Sequence, residues 1–199
     1  MGQLFLIDID EYSVGKNMKG DVFVAFNQMV EEQMGIDCWE ALLDEVQPKS
    51  GGIYTSVARY DDAELLSLIS TLSEMKSIPQ SVLIEGFGFY LFDELNKKHG
   101  VFTQQQPDFF GFIASIDDVI HREVKKLYPE TQLPEIKCLA SDDKVMQLSY
   151  QSPRKLCLLA EGLIRGSAKY YDVDYTLEHQ QCMQDGHENC LFTLSLDAN

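Results

Sequence analysis

Three sets of side chains in this sequence have types and spacing that could do chemistry. The first is a single imidazole. His121 falls in a stretch, residues 108–128, whose apolar Ile113, Ile116, Ile120, Val124 and Leu127 recur at helical spacing, and it sits beside that stripe rather than opposite it. An imidazole facing a partly apolar interior can bind a metal through one nitrogen while a hydrogen bond to the other fixes its tautomer. It can equally be a satisfied core histidine. The second set is Tyr150-Gln151-Ser152-Pro153-Arg154. If this segment leaves a strand and enters a helix, Tyr150, Ser152 and Arg154 can aim their donors at one place, where an anionic group is welcome. The plainer alternative is a Ser N-cap, a first-turn proline and a surface arginine. The third set is Cys157, His179, Cys182 and Cys190, one imidazole and three thiols, a composition that suits tetrahedral Zn2+. Asp185-Gly186 supplies a hairpin turn between Cys182 and Cys190, so those two can approach, with Cys157 arriving from a neighbouring helix. His187 is a rival ligand, and scattered cysteines are also ordinary buried small hydrophobes.

The elements that must position these groups can be read from periodicity. Met18-Lys19-Gly20 opens a helical pattern of Val22, Phe23, Phe26, Met29 and Val30, and further helices are predicted over 37–46, 62–76, 79–98 and 108–128. Pro48 and Gly51-Gly52 break the chain before a short strand-like run at 53–57. After Pro129 the pattern changes. Glu135 to Ala140 and Val145 to Gln151 read as strands around a Ser141-Asp142-Asp143-Lys144 turn, a helix follows from Pro153 to Tyr170, and strands are expected at 173–181 and 190–196. The class is α+β, with a mainly helical N-terminal half and a C-terminal antiparallel sheet with helices. Residues 1–17 have no clear period and are read as an N-terminal extension of unknown role; 18–199 are read as one domain.

The bulk numbers narrow the partners. A chain of 199 residues, 45% hydrophobic, can bury one sizeable core. A net charge of -16 argues against nucleic acid and against anionic lipid. Five cysteines are an odd number, and the first ten residues hold Asp8 and Asp10 but no lysine or arginine, so neither disulfides nor a secretory signal is expected. No apolar run approaches a membrane span. A cytoplasmic protein with a small-molecule or protein partner is expected. No nucleophile–base pair or phosphate loop points to an enzyme.

Taken in order, several residues and motifs carry a family resemblance. They are Met18-Lys19-Gly20, Trp39-Glu40, Gly86 to Phe92, Asp117-Asp118-Val119-Ile120-His121, Leu127-Tyr128-Pro129, Leu133-Pro134, the Tyr-x-Ser-x-Arg of residues 150–154, and Ala160-Glu161-Gly162-Leu163. Together they resemble a bacterial H-NOX (heme nitric oxide/oxygen binding) domain from about Met18 to Leu196. The resemblance implies a b-type heme between the helical half and the sheet half, with His121 as the proximal iron ligand and Tyr150, Ser152 and Arg154 on the propionates. It places Pro134 against the porphyrin; a proline at a strand start is the plainer reading. No Cys-x-x-Cys-His is present, in keeping with heme held without covalent attachment.

Oxygen-binding members of that family carry a distal tyrosine at the position of Leu159. With Val22, Phe26 and Leu91, the pocket implied here is apolar, which offers nothing to polar bound O2 and does not penalise NO or CO. The resemblance therefore implies a non-enzymatic NO sensor. NO binding would cleave the iron–His121 bond and shift helices against sheet, which would regulate a separate histidine kinase or cyclic-di-GMP enzyme. It also implies zinc at Cys157, His179, Cys182 and Cys190, and favours His179 over His187. Two other readings stay open: a zinc and thiol redox-sensing regulator, and an apolar-ligand module without heme.

Overall fold

The apolar periodicity of the chain resolves into helices first and a sheet last. A computed structural model describes residues 17–129 and 131–197. Of the expected extension, all but Asn17 lies outside the described residues. Strand β1 (Asn17–Lys19) pairs antiparallel with β2 (Arg59–Asp61). Between and after them run α1 (Gly20–Met34), α2 (Ile36–Val46), α3 (Asp62–Lys76) and α4 (Gln80–His99). Local chemistry sets the ends of these helices. Gln47 and Ser77 close α2 and α3 in left-handed conformations, and Asp61 caps α3 by accepting from the Ala63 amide at 3.0 Å.

The strand-like run at 53–57 is an irregular connection. Its backbone is bonded by a side chain instead of a strand: the Thr55 amide donates to the Tyr60 hydroxyl at 2.9 Å, and that hydroxyl donates to the Ile53 carbonyl at 3.2 Å. The strand in this region is β2.

After α4 come α5 (Val101–Gln104) and α6 (Phe109–Ser115), a π-helical segment (Ile116–His121) and α7 (Arg122–Leu127). The helix expected over 108–128 is thus interrupted. The wider π turn shifts the face presented by later residues, so the predicted stripe fails at its end: Ile113 is buried, yet Leu127 is 75% exposed.

Strands β3 (Glu135–Ser141), β4 (Val145–Gln151), β5 (Tyr175–Gln181) and β6 (Cys190–Leu196) form an antiparallel sheet in the order β3-β4-β6-β5. Asp142 closes the β3–β4 turn, its Oδ1 accepting from the amides of Lys144 and Val145 at 2.8 Å each. Helix α8 (Cys157–Tyr170) starts later than expected. The Lys155 amide bonds back to the Ser152 carbonyl at 3.0 Å and Lys155 has φ 50, so Ser152 to Lys155 form a turn and not a first helical turn.

The described residues bury two apolar cores. One gathers Phe23, Phe26, Trp39, Leu42, Leu68 and Phe87 from α1 to α4; the other gathers Phe109, Ile113, Leu148, Ile164, Phe192 and Leu194 from α6, the sheet and α8. Helices α4 and α8 form the seam, with Leu159 of α8 packed on the first core, Ile164 in the second and Leu163 against both. Glycine brings them together: a Cβ on Gly162 would lie 2.0 Å from the Glu85 carbonyl oxygen, and one on Gly88 would lie 2.3 Å from that of Leu159. The backbones therefore touch where larger residues would hold them apart.

Candidate functional site

His121 ends the π-helical segment with its side chain 13% exposed, and its Nδ1 stands 2.9 Å from Oδ1 of Asp117. That bond leaves Nε2 as the nitrogen for any metal. Burial pushes the imidazole below its ordinary pKa, outweighing the nearby Asp117 carboxylate, and this favours the neutral, ligand-competent form. The ring also faces the Pro134 backbone, so the two residues expected on one side of the cofactor are neighbours. The chain that follows α7 is tied to the helical half. Lys19 lies over the Tyr128 ring at 3.5 Å, and Arg59 donates to the Thr131 hydroxyl at 3.0 Å.

Tyr150, Ser152 and Arg154 are all buried, which removes the surface-arginine alternative. Ser152 does not cap α8; its hydroxyl accepts from the Arg154 amide at 3.2 Å and lies in hydrogen-bond contact with Tyr150. Burial pushes the Tyr150 phenol well above its ordinary range, so it remains a donor. The Arg154 guanidinium donates from Nε to Asp62 at 2.5 Å and from its terminal nitrogens to the carbonyls of Gln132 at 2.6 Å and Asn17 at 3.2 Å. A guanidinium has five N–H donors, so these three bonds leave two without a partner among the described residues.

Phe26 and Leu91 are buried in the first core, and Val22 and Leu159 pack against it. Phe26 stands edge-on to Phe87 at 5.1 Å. Val22, Phe26, Leu91 and Leu159 present no hydrogen-bond donor in their side chains.

The ligand atoms of Cys157, His179, Cys182 and Cys190 lie within 4.8 Å of one another. Cys157 and Cys182 have sulfurs 3.7 Å apart, and the amides of Met183 and Gln184 donate to the sulfurs of Cys190 and Cys182 at 3.2 and 3.4 Å. His187 is exposed at the hairpin tip and takes no part. The thiols push each other apart in acidity: the Cys157 hydrogen bond, with His179 behind it, drives Cys190 down, while Cys157 is driven up. Such a set can hold a soft or borderline cation as thiolates.

Sequence reading missed three carboxylates. Asp117 and Glu161 lie inside the motifs that carry the family resemblance, and Asp62 lies outside them. Only Asp117 carried a local signal, because it lies one helical turn before His121. Asp62 meets Arg154, and Glu161 meets His179, only through the tertiary fold. Among the described residues, no helix is long and apolar enough to cross a membrane.

Residues 19–179 match the haem-NO-binding family. The fold superposes on an H-NOX protein from S. oneidensis, solved in the Fe(II)NO state, with a TM-score of 0.85 and 34% identity, covering 91% of this chain and 100% of that one. An H-NOX from Shewanella woodyi, solved in the Fe(II)CO state, gives 0.79 and 38%, covering 89% and 94%. A soluble guanylate cyclase of Caenorhabditis elegans is 26% identical over 84% of this chain, which spans 25% of that protein's length.

Proposed function

The chain belongs to the haem-NO-binding (H-NOX) family, whose domains are heme-based gas sensors and not enzymes, and from that premise we propose that it is a nitric oxide sensor that changes conformation on binding NO and regulates a separate protein. Residues 18–199 form the heme-binding domain in this reading. The observation that carries it is His121, a largely enclosed imidazole anchored through Nδ1 by Asp117, so that Nε2 is the nitrogen a metal would use.

The residues present fit a heme. A buried cation with two donors unpartnered among the described residues, beside the Tyr150 and Ser152 hydroxyls, suits carboxylates that must leave water. The four apolar side chains belong to the first core and the His121 stretch packs on the second, so a planar group would lie between the halves. His121 would hold the heme, which when bound would supply an iron able to take NO. Val22, Phe26, Leu91 and Leu159 then exclude water and give O2 no hydrogen bond. Asp117 holds the imidazole in place at the end of the π-helical segment. Lys19, Arg59 and Arg154 link the chain after α7 to the helical half, so a displaced helix would move one half against the other.

We read the protein partner as a histidine kinase or a cyclic-di-GMP enzyme, as the family resemblance implies. We also propose a structural zinc ion at Cys157, His179, Cys182 and Cys190, supported by the convergence of their ligand atoms. The same thiols keep a redox-regulator reading alive. Reconstitution with hemin separates the two: a His121→Gly chain should bind heme stably only with added imidazole. Tight heme binding by that variant without imidazole would remove His121 from its role, and a wild-type chain that takes up no heme would favour the thiol reading.

A further inference from the structure

Between α8 and β5 lies a contact that the cluster itself does not explain. Glu161 follows Cys157 by one turn of α8, so the two project from the same helical face. Its Oε1 accepts from Nδ1 of His179 at 2.8 Å, with the side chains only 18% and 19% exposed. The other ring nitrogen, Nε2, is buried without a hydrogen-bond partner among the described residues. The same imidazole has its ligand atom within 4.8 Å of the three thiol sulfurs. Phe192 fixes the ring plane from the side, with centroids 4.6 Å apart at 62°.

We propose that Glu161 is the positioning residue of the metal site, holding the proton of His179 on Nδ1 so that the Nε2 lone pair is turned to the ion. This rests on the zinc reading given above. An imidazole has two tautomers, and only the one protonated at Nδ1 offers Nε2 as a ligand. A carboxylate oxygen cannot donate when ionised, so a 2.8 Å bond to it selects that tautomer and also fixes the angle of the ring. Helix α8 thus enters the site twice, once through the Cys157 sulfur and once through the carboxylate behind His179. Nε2 is buried with no nitrogen or oxygen acceptor among the described residues and faces the three sulfurs, whereas the second nitrogen of an ordinary surface ion pair would meet a carboxylate, a carbonyl or water.

Zinc affinity of the full chain, measured by competition with a chromophoric chelator, tests the assignment. Glu161→Ala should weaken zinc about 10–100-fold. Glu161→Gln, whose amide oxygen still accepts from Nδ1–H, should restore most of that loss. In a His179→Ala background, Glu161→Ala should change the affinity no further, because its effect runs through the imidazole. A merely structural carboxylate would weaken zinc equally in both backgrounds and would not be rescued by Gln; either result overturns the proposal. Wild-type chain that binds no zinc would overturn the zinc reading, and this inference with it. Wild-type chain that binds zinc no better than Glu161→Ala would overturn this inference alone. Far-UV circular dichroism of each variant shows that the helix carrying Glu161 is intact, and in the Co2+-substituted chain a shift of the d–d bands reports that His179 no longer ligates.

Discussion

Arg154 reaches across 92 residues of sequence to place its Nε 2.5 Å from Oδ2 of Asp62, and both side chains are 9% exposed. Asp62 begins α3 directly after β2, and Arg154 sits in the turn between β4 and α8, so one ion pair joins the helical half to the sheet half. With the guanidinium so anchored, its remaining donors have a fixed direction, as a site that recognises carboxylates requires.

Removing either partner leaves a buried charge. Arg154→Ala and Asp62→Asn are each expected to lower unfolding free energy by about 3–5 kcal/mol. The double variant should lose less than the sum of the two. Urea denaturation of the four proteins checks this, and additive losses would contradict the pairing. Heme transfer to an acceptor should accelerate more for Arg154→Ala, which removes the donors themselves, than for Asp62→Asn.

The α4–α8 seam predicts a second stability effect. In Gly162→Ala the new Cβ meets the Glu85 carbonyl, backbone that cannot rotate away, and the helices must separate. Overpacking of this kind costs about 1–3 kcal/mol. A thermal midpoint equal to wild type would show that the helices are not held this closely.

Much of this was legible before the fold. The periodicity of α1 to α4, the Asp142 turn of the β3–β4 hairpin and the Gly186 turn between β5 and β6 are local signals, and they fall where expected. The π-helical segment was not legible, because one extra residue in a turn leaves an apolar stripe that still looks helical. The β1–β2 pair joins short strands from distant points, too few residues to show alternation. The start of α8 was misplaced because Ser-Pro favours a helix start, while Lys155 instead adopts a left-handed turn. Of the site, ligand types could be read from the sequence, but Asp62 and Glu161, which orient those ligands, could be paired with them only through the fold.

For the cysteine–histidine cluster, one zinc per chain is expected by elemental analysis. Cys182→Ser should lose it with the heme absorption unchanged, since Cys182 lies outside the set assigned to heme. Zinc retained by Cys182→Ser and Cys190→Ser together would refute the site.

Leu159→Tyr should add a hydrogen-bond donor beside Val22, Phe26 and Leu91, whose side chains carry none. In a dry pocket such a bond contributes about 1–3 kcal/mol. The variant is expected to gain measurable O2 affinity, read by absorption under an oxygen titration. Unaltered affinity would mean that position 159 does not face the iron.

Ligand choice by the unaltered protein tests NO selectivity most directly. Reduced and exposed to air, the heme-loaded chain should keep the spectrum of unliganded ferrous heme, because Val22, Phe26, Leu91 and Leu159 provide no donor to bound O2. Addition of NO should convert it to the spectrum of a five-coordinate complex, which reports that the iron has let go of His121. A long-lived O2 complex in air, or an NO complex that stays six-coordinate with His121 attached, would contradict the reading of this chain as an NO-selective switch.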